Sequence, residues 1–331
     1  MIALLPVLAL AMPVPAIVPR PGELRTFRDW TVGCDNGGTC KMASLVTDDA
    51  TYPTVTASVA RTAGPDGRWT ITLAGDKADP NAVSVDGRTI AGGSDRYADA
   101  EAAAIVAAMA KGRALVALDT GRTPMATISL AGAAAALRYI DAMQGRVGTR
   151  SAAVAKGAKP ASAVPPAPAL PVVAALRPSG TAVTPTRAQL AEMRRLGDCD
   201  TAGFAGSDVP ESHAIGGGAT LVCAPCSSGA YNLIYALFVL KDGTLSPARA
   251  DVPSGFGEGT AIDAPAQIVN GSFDKGLVES YAKGRGLGDC GLSQSFAWDG
   301  TRLRLVEQAQ MGECRGNTDL ITTWRARVTR R

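Results

Sequence analysis

Thr51–Arg61 (TYPTVTASVAR) and Trp69–Leu73 (WTITL) decide the fold of the first half of the chain. Apolar and polar residues alternate in both stretches, which is typical of a strand with one buried face. The residues between them, Pro65-Asp66-Gly67, favour a turn. The two stretches therefore predict an antiparallel hairpin and, with it, a sheet in this part of the chain.

The residues that follow the hairpin predict a mixture of strands and helices. Ala82–Val85 and Arg88–Ile90 flank Asp86-Gly87, a pair typical of a type I′ turn. The period then changes, and Ala98–Lys111 and Gly132–Met143 are predicted to be helices. A sheet with covering helices is the architecture that this order favours.

The second half carries the same kinds of signal. Thr186 is a candidate N-cap for a helix over Ala188–Leu196, and Ala230–Leu240 is typical of a buried strand. Asp274–Tyr281 is assigned to a helix, and Asp299-Gly300 favours another hairpin turn.

Composition between the two halves changes sharply. Residues 149–186 are rich in Ala, Pro and Val, and Pro165-Pro166-Ala167-Pro168 favours extended polyproline geometry. We therefore expect a signal peptide at residues 1–16, a domain at 21–148, a semi-rigid linker at 149–186 and a second domain at 187–331. The predicted fold class is α+β, with each domain a mostly antiparallel β-sheet or sandwich packed against one or two helices.

Charge and composition exclude several classes of function. The 331 residues carry 33 Lys+Arg and 30 Asp+Glu, and a net charge of +3 without a basic run argues against nucleic-acid binding. The chain has one histidine, His213, so a mechanism that needs two imidazoles is excluded. No Gly-x-Ser-x-Gly nucleophile turn and no P-loop is present.

The first residues predict export. Ile2–Ala16 is an uncharged apolar run that is too short to span a bilayer and resembles the apolar region of a secretory signal. No positive charge precedes Arg20, which departs from the usual signal, and an N-terminal core strand is the alternative. No later stretch is apolar for 18 residues, so no membrane span is expected in the mature chain.

The seven cysteines fit an oxidising compartment, where disulfides persist. Spacing favours two local bridges, Cys34 with Cys40 and Cys290 with Cys314. Cys199, Cys223 and Cys226 supply one further pair and one cysteine left over.

Two kinds of chemistry are compatible with Cys199, Cys223 and Cys226. Cys223-Ala224-Pro225-Cys226 has the spacing of a redox dithiol, but a strand rather than a helix is predicted after it. Cys199, His213, Cys223 and Cys226 have the ligand types of a zinc site, although a second closely spaced pair is missing. A structural role for these residues is the simpler hypothesis.

The motifs together resemble a bacterial family known as domain of unknown function 1176. Matching stretches begin with Phe27-x-Asp29-Trp30-x-Val32-x-Cys34-Asp35-Asn36, followed by Cys40. The later ones are Cys226-x-x-Gly229-Ala230-Tyr231-Asn232, Gly288-Asp289-Cys290-Gly291, Trp298-Asp299-Gly300 and Cys314-Arg315-Gly316. The first half is also similar, more weakly, to the exported invasion-associated locus B family.

The resemblance implies an exported protein without an assigned activity, and it supplies no catalytic residues. It favours a third bridge between Cys199 and Cys226, with Cys223 as a free thiol buried in a strand. Independently of the resemblance, Tyr231, Asn232, Trp298 and Arg315 are polar and aromatic residues next to the expected disulfides. They are candidates either for a ligand groove or for core anchors and turn hydrogen bonds.

The sequence therefore predicts a periplasmic, disulfide-stabilised protein of the cell envelope that binds a partner protein or a small ligand and is not an enzyme. No cofactor, metal or nucleic acid is expected. The alternative is a thiol–disulfide or zinc-dependent enzyme that uses Cys199, His213, Cys223 and Cys226.

Overall fold

The computed structural model describes residues 18–47, 53–202, 205, 209–255 and 264–331. The predicted signal peptide at residues 1–16 lies outside these residues. Helices are few in the described part: α1 (Asp99–Met109), α2 (Ala133–Met143) and α3 (Arg187–Leu196), with one 3₁₀ turn at Ala161–Ala163. No helix in this part is long and apolar enough to cross a membrane. The protein belongs to the α+β class, as predicted, with several mostly antiparallel sheets.

Two antiparallel sheets and two helices form the first half. Its strands are β1 (Arg25–Phe27), β2 (Trp30–Cys34), β3 (Cys40–Ser44), β4 (Val55–Arg61), β5 (Trp69–Gly75), β6 (Ala82–Val85), β7 (Arg88–Gly92), β8 (Arg96–Ala98), β9 (Ala114–Leu118) and β10 (Pro124–Ser129). One sheet has the order β1-β2-β3-β4-β5-β8, and the other has the order β10-β9-β6-β7. Side chains from both sheets, α1 and α2 share one apolar core, in which Trp30 is fully buried.

The hairpins predicted for the first half are confirmed. β4 and β5 pair from Val55↔Gly75 to Arg61↔Trp69, around the predicted turn. Asp86 and Gly87 both have positive φ (48° and 81°), which is the backbone of a type I′ turn. The two predicted helices also form, each within two residues of its predicted ends.

The second half is a sandwich of two sheets with α3 on its outside. Its strands are β11 (Val172–Ala175), β12 (Glu211–Gly216), β13 (Ala219–Ser228), β14 (Leu233–Lys241), β15 (Thr244–Pro247), β16 (Gln267–Val269), β17 (Ser272–Asp274), β18 (Leu277–Lys283), β19 (Gly291–Trp298), β20 (Leu303–Met311), β21 (Ile321–Arg325) and β22 (Arg327–Arg330). β12-β13-β14-β15, with β16 beside β14, faces β17-β18-β19-β20-β21. The other face of the first of these sheets buries Met193 of α3.

Two predictions for the second half have opposite outcomes. The N-cap predicted at Thr186 is confirmed, because the Thr186 hydroxyl accepts the Gln189 N–H at 3.2 Å. Gln189 Oε1 accepts the Thr186 N–H at 2.9 Å in return, which completes a capping box. The helix predicted over Asp274–Tyr281 is wrong. Lys275 and Gly276 have positive φ, so the chain turns there and continues as β18, whose residues alternate between buried and exposed.

The predicted linker is packed against both halves. Near its start, Asp141 of α2 accepts the backbone N–H groups of Ala153, Val154 and Ala155. Near its end, β11 runs parallel to β22, with Val172 opposite Arg327. Extended geometry was predicted here, and the structure shows where the extended chain is held. The division into domains at residues 148 and 187 stays a prediction.

Motif residues clamp the two halves together. Asp35 Oδ2 accepts Arg325 Nε at 2.6 Å, and the Asn36 side chain exchanges two hydrogen bonds with the Arg325 backbone. Arg315 donates to Asp29 Oδ1 at 2.8 Å and to the carbonyl oxygens of Arg28 and Val46. A small apolar cluster completes the contact, with Ala43, Leu45, Cys290, Met311 and Ile321 buried in it.

Candidate ligand-binding site

All seven cysteines are described, and six of them form disulfides. The bridges are Cys34–Cys40, Cys199–Cys226 and Cys290–Cys314. The first closes the β2–β3 hairpin, the second ties the loop after α3 to β13, and the third ties the start of β19 to the loop after β20. Each bridge therefore links two segments that are neighbours in the fold. Cys223 remains a buried free thiol.

Cys223 and Cys226 do not form a redox pair. Residues on a strand alternate between faces, so two positions three residues apart point in opposite directions. Cys223 lies in the sandwich core with Leu221 and Leu237, whereas Cys226 lies on the other face beside Met193. A bulge next to Pro225 leaves Cys226 without a cross-strand partner, and its sulfur bonds to Cys199.

The Cys223 thiol is poorly suited to nucleophilic chemistry. Burial, with a smaller contribution from the Glu211 carboxylate on the neighbouring strand, raises the pKa of Cys223 to about 12. A reactive cysteine needs the opposite environment, one that lowers its pKa and keeps it accessible.

The zinc hypothesis loses two ligands to the second disulfide, because Cys199 and Cys226 are bonded to each other. His213 Nε2 lies 3.4 Å from Glu211 Oε2, and its ring stacks on Phe273 at 4.6 Å. Within the described ranges, no three His, Cys, Asp or Glu side chains cluster closely enough to hold a metal ion.

The four residues proposed for a groove are placed in three separate environments. Tyr231 is exposed beside Gly286, and Asn232 exchanges two hydrogen bonds with the Lys283 backbone. Trp298 is buried in the sandwich core, and Arg315 belongs to the contact between the halves. The structure thus brings Tyr231 and Asn232 together and leaves Trp298 and Arg315 apart from them.

A different site emerges where β11 crosses the second half. A pocket of about 340 Å³ lies between residues 171–174, the β19–β20 turn and the β21–β22 junction. Three charged side chains that line it, Asp251, Asp299 and Arg304, are largely buried, with 7%, 15% and 20% of their side-chain surfaces exposed. Buried charges are costly unless they are paired, so a buried charged cluster in a cavity marks a candidate binding site.

Asp299 is fixed by the turn that it starts. Its Oδ1 accepts the backbone N–H groups of Thr301 at 2.7 Å and Arg302 at 2.9 Å, together with the Thr301 hydroxyl. Its Oδ2 accepts Arg304 Nε at 2.5 Å. The Asp-Gly turn therefore directs the carboxylate towards Arg304, the arginine of β20.

Asp251 reaches the same arginine from a distant part of the sequence. Its backbone N–H donates to Leu303 O, and its Oδ1 accepts the Leu305 N–H at 2.9 Å. Its Oδ2 lies 3.8 Å from Arg304 Nη1, which is an ion pair beyond hydrogen-bond range. Arg304 is thus held between two carboxylates.

The two carboxylates differ in their acidity. Burial raises the pKa of Asp251, and the hydrogen bond from Leu305 and the nearby Arg304 only partly oppose it. Burial also acts to raise the pKa of Asp299, but the hydrogen bonds from Arg302, Thr301 and Arg304 outweigh it and lower that pKa. Asp299 is therefore the firmly ionised partner.

The rest of the pocket is largely apolar. Leu305 and Trp324 form part of one wall, and the Trp324 indole N–H donates to Leu305 O at 3.3 Å. Val172 and Val173 of β11 form part of another. No motif in the sequence points to Asp251, Arg304 or Trp324. Asp299 was recognised only as a turn residue, and nothing in the sequence links it to Asp251.

A second, larger cavity of about 540 Å³ lies in the first half, between β4, β9 and β10. Arg113 is the charged residue among those that line it, and the others are aliphatic, hydroxyl-bearing or proline residues. The pocket beneath β11 is the better candidate because it combines charged groups with apolar walls.

Comparison with known proteins gives a family but no activity. The family described as "Protein of unknown function (DUF1176)" matches residues 24–328. The "Uncharacterized protein YpfG" of Escherichia coli (strain K12) is 32% identical over 321 residues, which cover 88% of this chain and 88% of that protein. No solved structure matches. The chain therefore belongs to the DUF1176 family of proteins of unknown function.

Proposed function

We propose that this protein is an exported, disulfide-stabilised binding protein of the bacterial cell envelope, and that the pocket beneath β11 holds a small ligand. The observation that carries the proposal is the buried Asp251–Arg304–Asp299 cluster inside a cavity of about 340 Å³. Small-ligand sites commonly have volumes of roughly 300 to 1,000 Å³ and combine apolar walls with a few fixed polar groups.

Export is supported by the disulfides and by the apolar run at residues 2–16. Disulfides form and persist in the periplasm, whereas cytosolic thiols are kept reduced. The pairing of six cysteines, with the seventh buried, is the arrangement expected of structural cross-links.

Binding is supported by the way in which the charged groups are fixed. Asp299 is held by four hydrogen bonds, and both Asp251 and Arg304 are positioned by neighbouring strands. Groups that are preorganised in this way lose little freedom when a ligand binds.

Export can be tested by expressing the full chain in a Gram-negative host and separating periplasm from cytosol. We expect the protein in the periplasmic fraction, with a mass that corresponds to three disulfides and one free thiol. Recovery in the cytosol with seven reduced cysteines would refute export.

The pocket can be tested by native mass spectrometry of protein purified from envelope extract, compared with an Ala174→Phe variant. Ala174 is exposed and lines the pocket, so the larger ring fills the cavity without disturbing the core. We expect a retained small molecule in the wild type that the variant lacks. A molecule retained equally by both would place the binding site elsewhere.

A further inference from the structure

The side-chain charges that line the pocket beneath β11 cancel. Asp251 and Asp299 contribute two negative charges, and Arg304 and Arg331 contribute two positive charges. Arg331 is anchored at the rim, where it donates to Asp299 O at 2.9 Å. A ligand with net charge would leave the side chains of the pocket with an unbalanced charge, which is costly in a partly desolvated site. The charge balance favours a ligand without net charge.

The same groups leave an acceptor and several donors beside each other. Asp251 Oδ2 lies beyond hydrogen-bond range of Arg304, so it is able to accept a hydrogen bond from a ligand. Of the five N–H donors of Arg304, only the one on Nε makes a hydrogen bond to a described residue. Neighbouring hydroxyl groups on one ligand fit this pattern, since one hydroxyl donates to Asp251 while the next accepts from Arg304.

Apolar walls flank the polar pair. Leu305 and Trp324 lie on one side, and Val173 lies on another. A ligand that fills this space must present C–H groups close to its hydroxyls. A pyranose ring does so, because its faces carry C–H groups and its edge carries hydroxyls, and C–H faces pack well on aromatic and aliphatic side chains.

We propose that the pocket beneath β11 binds a neutral sugar of one or two pyranose rings, with its hydroxyls bound by Asp251 and Arg304. This inference rests on the proposed function, since it names the ligand class of the same site. The cavity of about 340 Å³ limits the occupant to this size. A free sugar and the terminal rings of an envelope glycan share this chemistry.

Saturation-transfer NMR titrations of the full, oxidised protein test the proposal. The soluble probes are glucose, N-acetylglucosamine and their β-1,4-linked dimers. Co-sedimentation of the protein with insoluble peptidoglycan tests whether the ligand is part of a glycan polymer. We expect saturable binding of at least one soluble sugar, weakened at least tenfold by Asp251→Asn or Arg304→Gln and abolished by Ala174→Phe. Retention by peptidoglycan that Ala174→Phe abolishes indicates a glycan end as the source.

Glu279→Gln is the matched control, because it makes the same carboxylate-to-amide change on the exposed β18 surface, away from the pocket. Thermal melting of each variant shows whether it is folded. The conservative Asp251→Asn change keeps an oxygen to accept the Leu305 N–H, so the titration stays interpretable if Arg304→Gln unfolds.

The outcomes separate the two proposals. One outcome is that no sugar and no glycan binds, whereas the zwitterionic dipeptide Gly-Gly or another retained molecule binds the wild type and does not bind Ala174→Phe. This outcome overturns the sugar inference and leaves the proposed binding function intact. If nothing binds the wild type and no molecule is retained from envelope extract, both are overturned.

Discussion

At the residue scale, Cys223 shows how a chemically suggestive side chain serves packing. The thiol is buried between the two sheets of the sandwich, and its pKa is raised to about 12 because burial disfavours the thiolate. The thiolate is the nucleophilic form, and an unperturbed cysteine has a pKa of about 8.5. The native protein therefore contains almost no thiolate at pH 8.

We predict that iodoacetamide alkylates Cys223 at pH 8 roughly 10³-fold more slowly in the native protein than in the urea-unfolded protein, since reactivity follows the thiolate fraction. Intact mass spectrometry measures the modification. A Cys223→Ser variant, in which every remaining cysteine is disulfide-bonded, should stay unmodified in both states. Rapid alkylation of the folded wild type would contradict the buried, protonated thiol.

The cysteines and the pocket differ in how much of them the sequence pattern predicts. The strand predicted from the sequence begins at Ala230, after Cys226, whereas the observed strand covers Ala219–Ser228. A strand over both cysteines places Cys223 and Cys226 on opposite faces. The pocket cannot be predicted in this way. Asp251 and Asp299 are 48 positions apart, and they meet only because the loop after β15 hydrogen-bonds to Leu303 and Leu305 of β20.

At the scale of elements, short-range signals were reliable where a turn or cap fixed the backbone. Asp86-Gly87 and Thr186 specify their own local hydrogen bonds, so the β6–β7 hairpin and the start of α3 were predicted correctly. Asp274–Tyr281 failed because Lys275-Gly276 was not recognised as a turn. Leu277–Lys283 then alternates with the period of a strand, pairing Val278 with Phe296.

The attachment of α3 to the sandwich depends on the Cys199–Cys226 bridge. Met193 is the fully buried side chain of this helix, so little apolar surface holds it in place. We predict that Cys199→Ser/Cys226→Ser increases hydrogen exchange across residues 187–196. The double variant should also lower the free energy of unfolding by about 3.6 kcal/mol, the chain-entropy value for this loop.

Cys34→Ser/Cys40→Ser provides the comparison for that experiment. Its loop is shorter, so the corresponding loss is about 2.4 kcal/mol, and the bridge is remote from α3. Exchange in residues 187–196 should match the wild type in this variant. Equal deprotection of α3 in both double variants would show that the Cys199–Cys226 bridge has no local role.

At the scale of the whole molecule, the two halves share buried polar contacts. The Asp35 side chain is 2% exposed and is bound to Arg325, which also donates to the Thr39 hydroxyl at 3.0 Å. Leaving such a group without its partner carries the full cost of its burial. The contact between the halves thus contributes to the stability of both.

We predict that Arg325→Lys lowers the free energy of unfolding by about 1 to 2 kcal/mol, because an ammonium group cannot bind Asp35 and Thr39 with the same planar geometry. Hydrogen exchange of peptides from β4 and β19, measured against urea, reports on the two halves separately. In the wild type, the β4 and β19 peptides should have the same urea midpoint. In Arg325→Lys, the two midpoints should decrease by the same amount. Arg327→Lys, an exposed arginine nearby, should leave both midpoints unchanged.

Separate midpoints for β4 and β19 in the wild type would show that the halves unfold independently. That result would support the division at residues 148 and 187 over a single cooperative unit. The sequence predicts that division from the Ala- and Pro-rich composition alone, and composition does not reveal that Asp141 and β22 hold the segment in place.

The parallel pairing of β11 with β22 also sets an order of events during synthesis. Val172 and its partner Arg327 are separated by 155 positions, and the strands of the sandwich lie between them in the sequence. One wall of the pocket therefore cannot form until β22 has been translated, so a nascent chain that ends before Arg327 lacks the pairing of β11 with β22. The proposed binding pocket is consequently complete only in a chain that includes β22.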